Sequence, residues 1–438
     1  MGLAVAGTAS LQAAYAPDLG PLSSTKIWNV SATLRGFYDD NYDTANGGLN
    51  PRGSYGIEVS PQLMLAVPLQ QTELGLRATY AMTYYQEREE LGQESVDQSV
   101  DVDLWVDHAF SERWRTKVLD SFVVAQEPQL LNPNGSGASI VFRVTGDNIR
   151  NTGNINLSTD WTRLFSTSLT YDNSFFDFEN SGATQADVAP GGSGASLAGL
   201  LNRIDQTVSL DLQWHVAMET VAFLGGAFEA VNYTGNEPIA YNPAALLGPQ
   251  FGPLYYYSSD RDSRSYFGYV GAQHNFLPNL NATAKAGFNY TENYNDPLSS
   301  PATAPYAVIS LTYTYSPGSY AQIGFNESQN ATDVVAPDPT TGKITQYQQS
   351  SVVYGTINQL ITPKLLGSLI GSWQYSVYHE GQYNNEADQY YTVGLNLSYT
   401  FNPHFSADAG YNFDAVDSNI FQRGYTRNRV YIGVTAAY

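Results

Sequence analysis

Cysteine is absent from this 438-residue sequence, so it offers no disulfide framework and no thiolate nucleophile or metal ligand. Charge is nearly as scarce. Asp, Glu, Lys and Arg make up 14% of the residues, where a soluble domain carries about 25%. So few charges cannot cover a water-facing surface. Basic residues are the rarer sign, 20 against 41 acidic, and the net charge of −21 argues against nucleic acid as a partner. Long apolar runs are missing too: no stretch of about 18 apolar residues exists, which rules out membrane-spanning helices. In their place stand 38 Gly, 33 Tyr and a surplus of Asn, Ser, Thr and Gln. One class remains for such a chain: the transmembrane β-barrel, whose strands alternate lipid-facing and water-facing residues.

The pattern along the chain agrees. From Trp28 on, alternating segments are joined by tight turns and long polar loops in succession. The tight turns resemble one another: 110–114 (FSERW), 276–280 (FLPNL), 315–320 (YSPGSY), 361–365 (ITPKL) and 401–405 (FNPHF), with weaker cases near 68–71, 162–164 and 217–219. Proline presets φ at the second turn position, and the flanking aromatics suit a membrane interface. Long loops cover 39–53, 87–94, 127–147, 180–202, 234–260, 295–303, 334–343, 381–385 and 419–422. The period predicts an all-β, antiparallel up-and-down barrel of about 18 strands with short periplasmic turns and long extracellular loops. Its first strand, 28–38, closes on its last, 427–438. Alternation is sharp where Val96, Val100, Val102, Leu104 and Val106 oppose Asp97, Ser99, Asp101, Asp103 and Asp107. It is most blurred over 320–330 and 346–361, where Gln and Ser intervene.

The ends of the chain speak to export. Residues 1–16 are small, apolar and uncharged, and read as a signal-peptide remnant. Residues 17–26 would be a periplasmic lead-in, and 27–438 a single barrel domain. At the far end Val430, Ile432, Val434, Ala436 and Tyr438 alternate with Arg429, Tyr431, Gly433, Thr435 and Ala437. Tyr431, Gly433, Ala436 and the final Tyr438 resemble the terminal signal by which the barrel-assembly machinery recognises outer-membrane barrels.

Several segments also carry a family resemblance: Tyr38-Asp-Asp-Asn-Tyr42, Glu58-Val-Ser-Pro61, Tyr84-Tyr85 leading to Arg88, and 108–128 (HAFSERWRTKVLDSFVVAQEP). With them the chain resembles the β-barrel porin family of the second named type. The resemblance implies a barrel in the outer membrane of a Gram-negative bacterium, acting as a channel. Some members look linked to exopolysaccharide systems, and no substrate carries over.

Histidine gives no chemistry. His108, His215, His274 and His404 stand beside tight turns and His379 near the outer rim, one per hairpin. That scatter makes no metal cluster, and no Ser/His/Asp set stands out. No enzyme, cofactor or metal is expected. The lumen is more legible, because Arg or Lys facing lipid at mid-membrane costs about 2–4 kcal/mol and mid-strand charges should therefore point inward. That rule places Arg35, Arg77, Arg203, Lys285, Arg427 and Arg429 in the lumen. Glu58, Asp97, Asp101, Asp103, Asp107, Asp120, Asp205, Asp211, Glu229, Asp408 and Asp414 join them. Asp408 and Asp414 are expected to reach Arg427 and Arg429. The carboxylates at 97–107 have only Arg77 nearby and would leave a negative stripe.

The function expected is passive diffusion of small hydrophilic solutes with cations favoured. A surface scaffold or export channel for a neutral exopolysaccharide is the alternative. Partners would be outer-membrane lipid, the assembly machinery, small solutes and a possible homo-oligomer. The longest loop, 234–260, is too apolar to hang in water (AALLGPQFGPLYYY at 244–257). It should fold inward and narrow the pore, or else grip a neighbouring subunit in a trimer. Loop 127–147, with Ser139 to Phe142, is the second candidate.

Overall fold

The computed structural model describes residues 27–46, 50–92, 94–126, 146–421 and 423–438. The N-terminal segment read as a signal and lead-in, and most of loop 127–147, lie outside these. Barrel strands alone are numbered here. The first nine are β1 (Trp28–Asp39), β2 (Ser54–Pro68), β3 (Thr72–Tyr85), β4 (Val96–Ala109), β5 (Trp114–Ala125), β6 (Asn148–Asp160), β7 (Phe165–Phe178), β8 (Arg203–Ala217) and β9 (Thr220–Tyr233). The rest are β10 (Ser263–Leu277), β11 (Leu280–Asn293), β12 (Ala302–Ser316), β13 (Ser319–Ala331), β14 (Tyr347–Thr362), β15 (Leu365–His379), β16 (Ala387–Asn402), β17 (Phe405–Ser418) and β18 (Tyr425–Ala437).

They form one 18-stranded sheet in which each strand pairs antiparallel with its chain neighbour. The edges meet because β1 pairs with both β2 and β18, for example Gly36 with Ile432. Closure leaves no strand with bare amides, and a barrel wall in lipid needs that. The blurred segments at 320–330 and 346–361 are strands, as expected, because cross-strand partners on both sides hold them whatever their side chains.

Directly paired residues share a face, so the register sorts the wall. Leu34, Leu104, Leu210, Leu395 and Ile432 lie on the exposed outer face. Trp28, Trp114, Trp214, Phe405 and Tyr438 mark its lower edge beside the tight turns. Inside, several bulky rings fill gaps left by glycine. A Cβ on Gly75 would meet the Trp105 ring at 1.7 Å, so only glycine fits beneath that indole. The long loop after β9 departs from a purely irregular strap. Its flanks, Pro238–Tyr241 and Tyr255–Tyr257, pair as a small hairpin. Its Gly- and Pro-rich middle is confined to two 3₁₀ turns, Pro243–Leu247 and Pro249–Phe251.

Candidate functional site

The inner wall is polar and most of its charges are paired. Arg77 stands opposite Asp103, with Nη2 and Nε donating to Oδ2 at 2.5 and 2.9 Å. Arg203 bridges Asp205 at 3.0 Å and Lys285 bridges Asp211 at 3.0 Å. Tyr269 Oη donates to the same Asp211 at 2.8 Å. Arg427 grips Asp39 at 2.6 Å, and Arg429 stands 3.9 Å from Glu58. Asp414 lies directly opposite Arg427, while Glu229 lies opposite Ser265 and is coupled to Arg203 and Asp205.

Arg35 shows how the register directs these contacts. Its row across the seam reads Asp408, Gly433, Arg35, Glu58. Gly433 has no side chain, so Arg35 extends over it to Asp408 at 3.0 Å while also reaching Glu58 at 3.4 Å. The expected pairing of Asp408 with Arg427 or Arg429 is therefore replaced by one across the closing strand. A Cβ at position 433 would come within 2.6 Å of Arg35 Cγ and 2.9 Å of Asp408 Oδ1. Gly433→Val is accordingly expected to weaken barrel closure. The folded, heat-modifiable band on gels should fall, and a wild-type yield would show that the row tolerates a side chain. Tyr431, two positions before, accepts from Asn396 at 2.7 Å, Ala436 pairs with Ala32, and Tyr438 packs on Trp28 at 5.7 Å. The assembly-signal residues thus have structural work at the seam, and their recognition role stays a proposal.

Two further expectations are corrected. The β4 carboxylates are not a bare stripe, because partners arrive from elements that spacing could not place. Asp97 takes Arg88 from the short helix Gln86–Glu90 at 2.5 Å, and Asp101 interacts with Arg150 of β6. Asp107 takes Arg115 and, at 3.9 Å, Lys117 of β5. The second correction is Asp120, which does not line the lumen. It pairs with Leu104 on the outer face, and Asn151 donates to it at 3.0 Å. The rule that mid-strand charges face inward fails here because β5 keeps strict alternation through its one acidic position.

Above the wall the outer loops interlock. The Tyr256 ring is fully buried with Ile239, Ala240 and Ile344, and its hydroxyl donates to Gly342 O at 2.8 Å. Arg261, 1% exposed, donates to Leu200 O at 2.9 Å and to Thr332 O. These contacts tie the loops after β7, β9 and β13. These loops follow strands two and four apart in the sheet and meet through direct contacts. Arg423, after β17, continues the lacing with Asp333 at 2.7 Å and Asp388 at 2.5 Å. Asp296, after β11, accepts from Gln346 at 2.6 Å, and burial raises its carboxyl above the ordinary value. Leu246 and Leu247 stay outside this core, 70% and 69% exposed.

The histidines behave as turn residues. His108, His215 and His274 each hydrogen-bond a neighbouring-strand hydroxyl at 2.7–3.1 Å, and His379 stacks on Tyr347. Among the described residues no acid and histidine cluster could hold a metal.

Comparison with known proteins completes this picture. Residues 254–438 match the family model described as "Putative beta-barrel porin 2". The match covers the second half of this porin-like barrel, from inside the longest loop to the end of β18, whereas the resembling motifs lie in the first half. The matched part is less than half of the chain, and the protein is a closed barrel of the Gram-negative outer membrane. No curated protein matches the chain. Among solved structures it is similar to OpdK of Pseudomonas aeruginosa, with 8% identity over 94% of this chain and 99% of that one, TM-score 0.42. OccAB4 of Acinetobacter baumannii shows 14% identity over 96% and 100%, TM-score 0.42. The ferric enterobactin receptor PfeA of Pseudomonas aeruginosa shows 10% over 93% and 80%, TM-score 0.44.

Sequence reasoning missed Arg88, Arg115, Arg150, Arg261 and Arg423. Those in loops and at strand ends carry no alternation signal, and their roles depend on which strands become neighbours.

Proposed function

We propose that the protein is a passive outer-membrane channel for small hydrophilic solutes that favours cations. The observation that carries this reading is the inner wall, which is polar from β1 to β18 in a barrel of 18 strands. A barrel of that girth is wide enough to hold water. Most inner charges are paired, so the preference is expected to be modest. It would rest on acids not neutralised one for one, such as Asp172, which accepts from the Asn154 amide at 2.6 Å, and Glu229 beside Asp205. One observation favours the neutral-polymer alternative: the inner wall of β13–β16 presents Asn326, Ser350, Gln374, Thr392 and Asn396, with hydroxyls and amides in place of charge.

Single-channel recording in planar bilayers tests the reading. Discrete steps are expected, with a reversal potential across a KCl gradient on the cation side. Asp172→Asn with Glu229→Gln should move that potential toward zero. Absence of steps would remove the channel, and an anion-side potential would remove the selectivity.

A further inference from the structure

Among the described residues, the outer face of the barrel carries a polar patch on β5–β8 at a depth where lipid tails should lie. Pairing across β5, β6, β7 and β8 puts Asp120, Gly153, Asn173 and Gln206 in a single lipid-facing row. Asn151 of β6 adjoins it. Asp120 sits between the exposed Trp114 and Phe122 of its own strand, and Ile155, Leu169 and Leu210 around the row are exposed and apolar. Asp120 is thus inside the apolar band, below any headgroup. Asn151 satisfies its Oδ1, whereas Oδ2 has no donor and the Asn173 amide has no partner among the described residues. Hydrocarbon offers neither, and unsatisfied polar groups are expensive there.

We propose that this β5–β8 face binds a second copy of the same chain within the membrane. The patch is self-complementary. It holds a carboxylate short of donors beside an amide short of an acceptor, so two facing copies supply each other's missing bonds. Gly153, between the two groups, adds no side chain to hold the walls apart. A lipid headgroup does not reach this depth, and an unrelated protein would have to present both a donor and an acceptor at matching height. The inference is independent of whether the barrel conducts.

Because the chain has no cysteine, introduced thiols report directly. Ile155→Cys, beside the patch, is expected to shift from the monomer band to a band of doubled mass on oxidation in outer-membrane preparations. Leu395→Cys, on β16 far around the wall, should stay monomeric. Asp120→Leu with Asn173→Leu in the Ile155→Cys background should lose the doubled band while keeping the folded, heat-modifiable form, since both changes put apolar groups on a lipid face. Four results would overturn the proposal: a monomer with Ile155→Cys, equal crosslinking at both positions, a product of another mass, or a doubled band that survives the double substitution.

Discussion

Deleting residues 244–257 is expected to raise single-channel conductance severalfold. The segment contains Tyr256, whose buried ring and hydroxyl anchor the loop after β9 to the loop after β13. Truncating a buried aromatic costs about 3–5 kcal/mol, and here that loss falls on contacts between loops, not between strands. The barrel should therefore still fold, with an intact heat-modifiable band, while its mouth opens. Tyr256→Ala should give the same change in weaker form, with more frequent flicker between levels. Unchanged conductance in the deletion would mean that the loops lie clear of the solute path. Unchanged conductance with a dissolved oligomer on native gels would make the loop a subunit contact in place of the β5–β8 face. The loop's exposed Leu246 and Leu247 make that second comparison worth running.

Asp103→Leu is expected to be the most destabilising single substitution on the inner wall. Arg77 is 4% exposed, and its Nε and Nη2 both donate to Asp103 Oδ2. Removing one member of a buried pair leaves the other charge uncompensated, typically at about 3–5 kcal/mol. Unfolding in urea, followed by the heat-modifiable band, should shift to markedly lower denaturant. Replacing both members, Arg77→Met with Asp103→Leu, should restore most of the loss, because a buried ion pair and an apolar pair of similar volume are nearly equivalent. If the single variant unfolds like wild type, water reaches Arg77 freely and the wall there is wetter than its burial implies.

Much of the fold was legible because a barrel repeats one rule. Side chains alternate with a period of two, tight turns carry Pro and aromatics, and long loops are polar, so strand number, closure and inner face follow from local pattern. That reading placed Arg35, Glu58, Arg77, Lys285 and Asp408 on the inner face, where the register puts them. It misplaced Asp120 because it sorted by charge. Parity along β5 pairs Asp120 with the outward Leu104, and no penalty on a carboxylate can turn one residue against its strand.

A closed 18-strand barrel with a polar interior and its outer-membrane class follow from the chain alone, since these depend on residues one or two positions apart. Which charges meet depends on the three-dimensional arrangement. Arg150 finds Asp101 across β5, Arg35 finds Asp408 across β18, and Arg261 joins loops that are remote in the chain. Those contacts depend on which strands stand side by side, on a glycine that opens a row, and on which outer loops meet. None of these leaves a periodic trace along the chain.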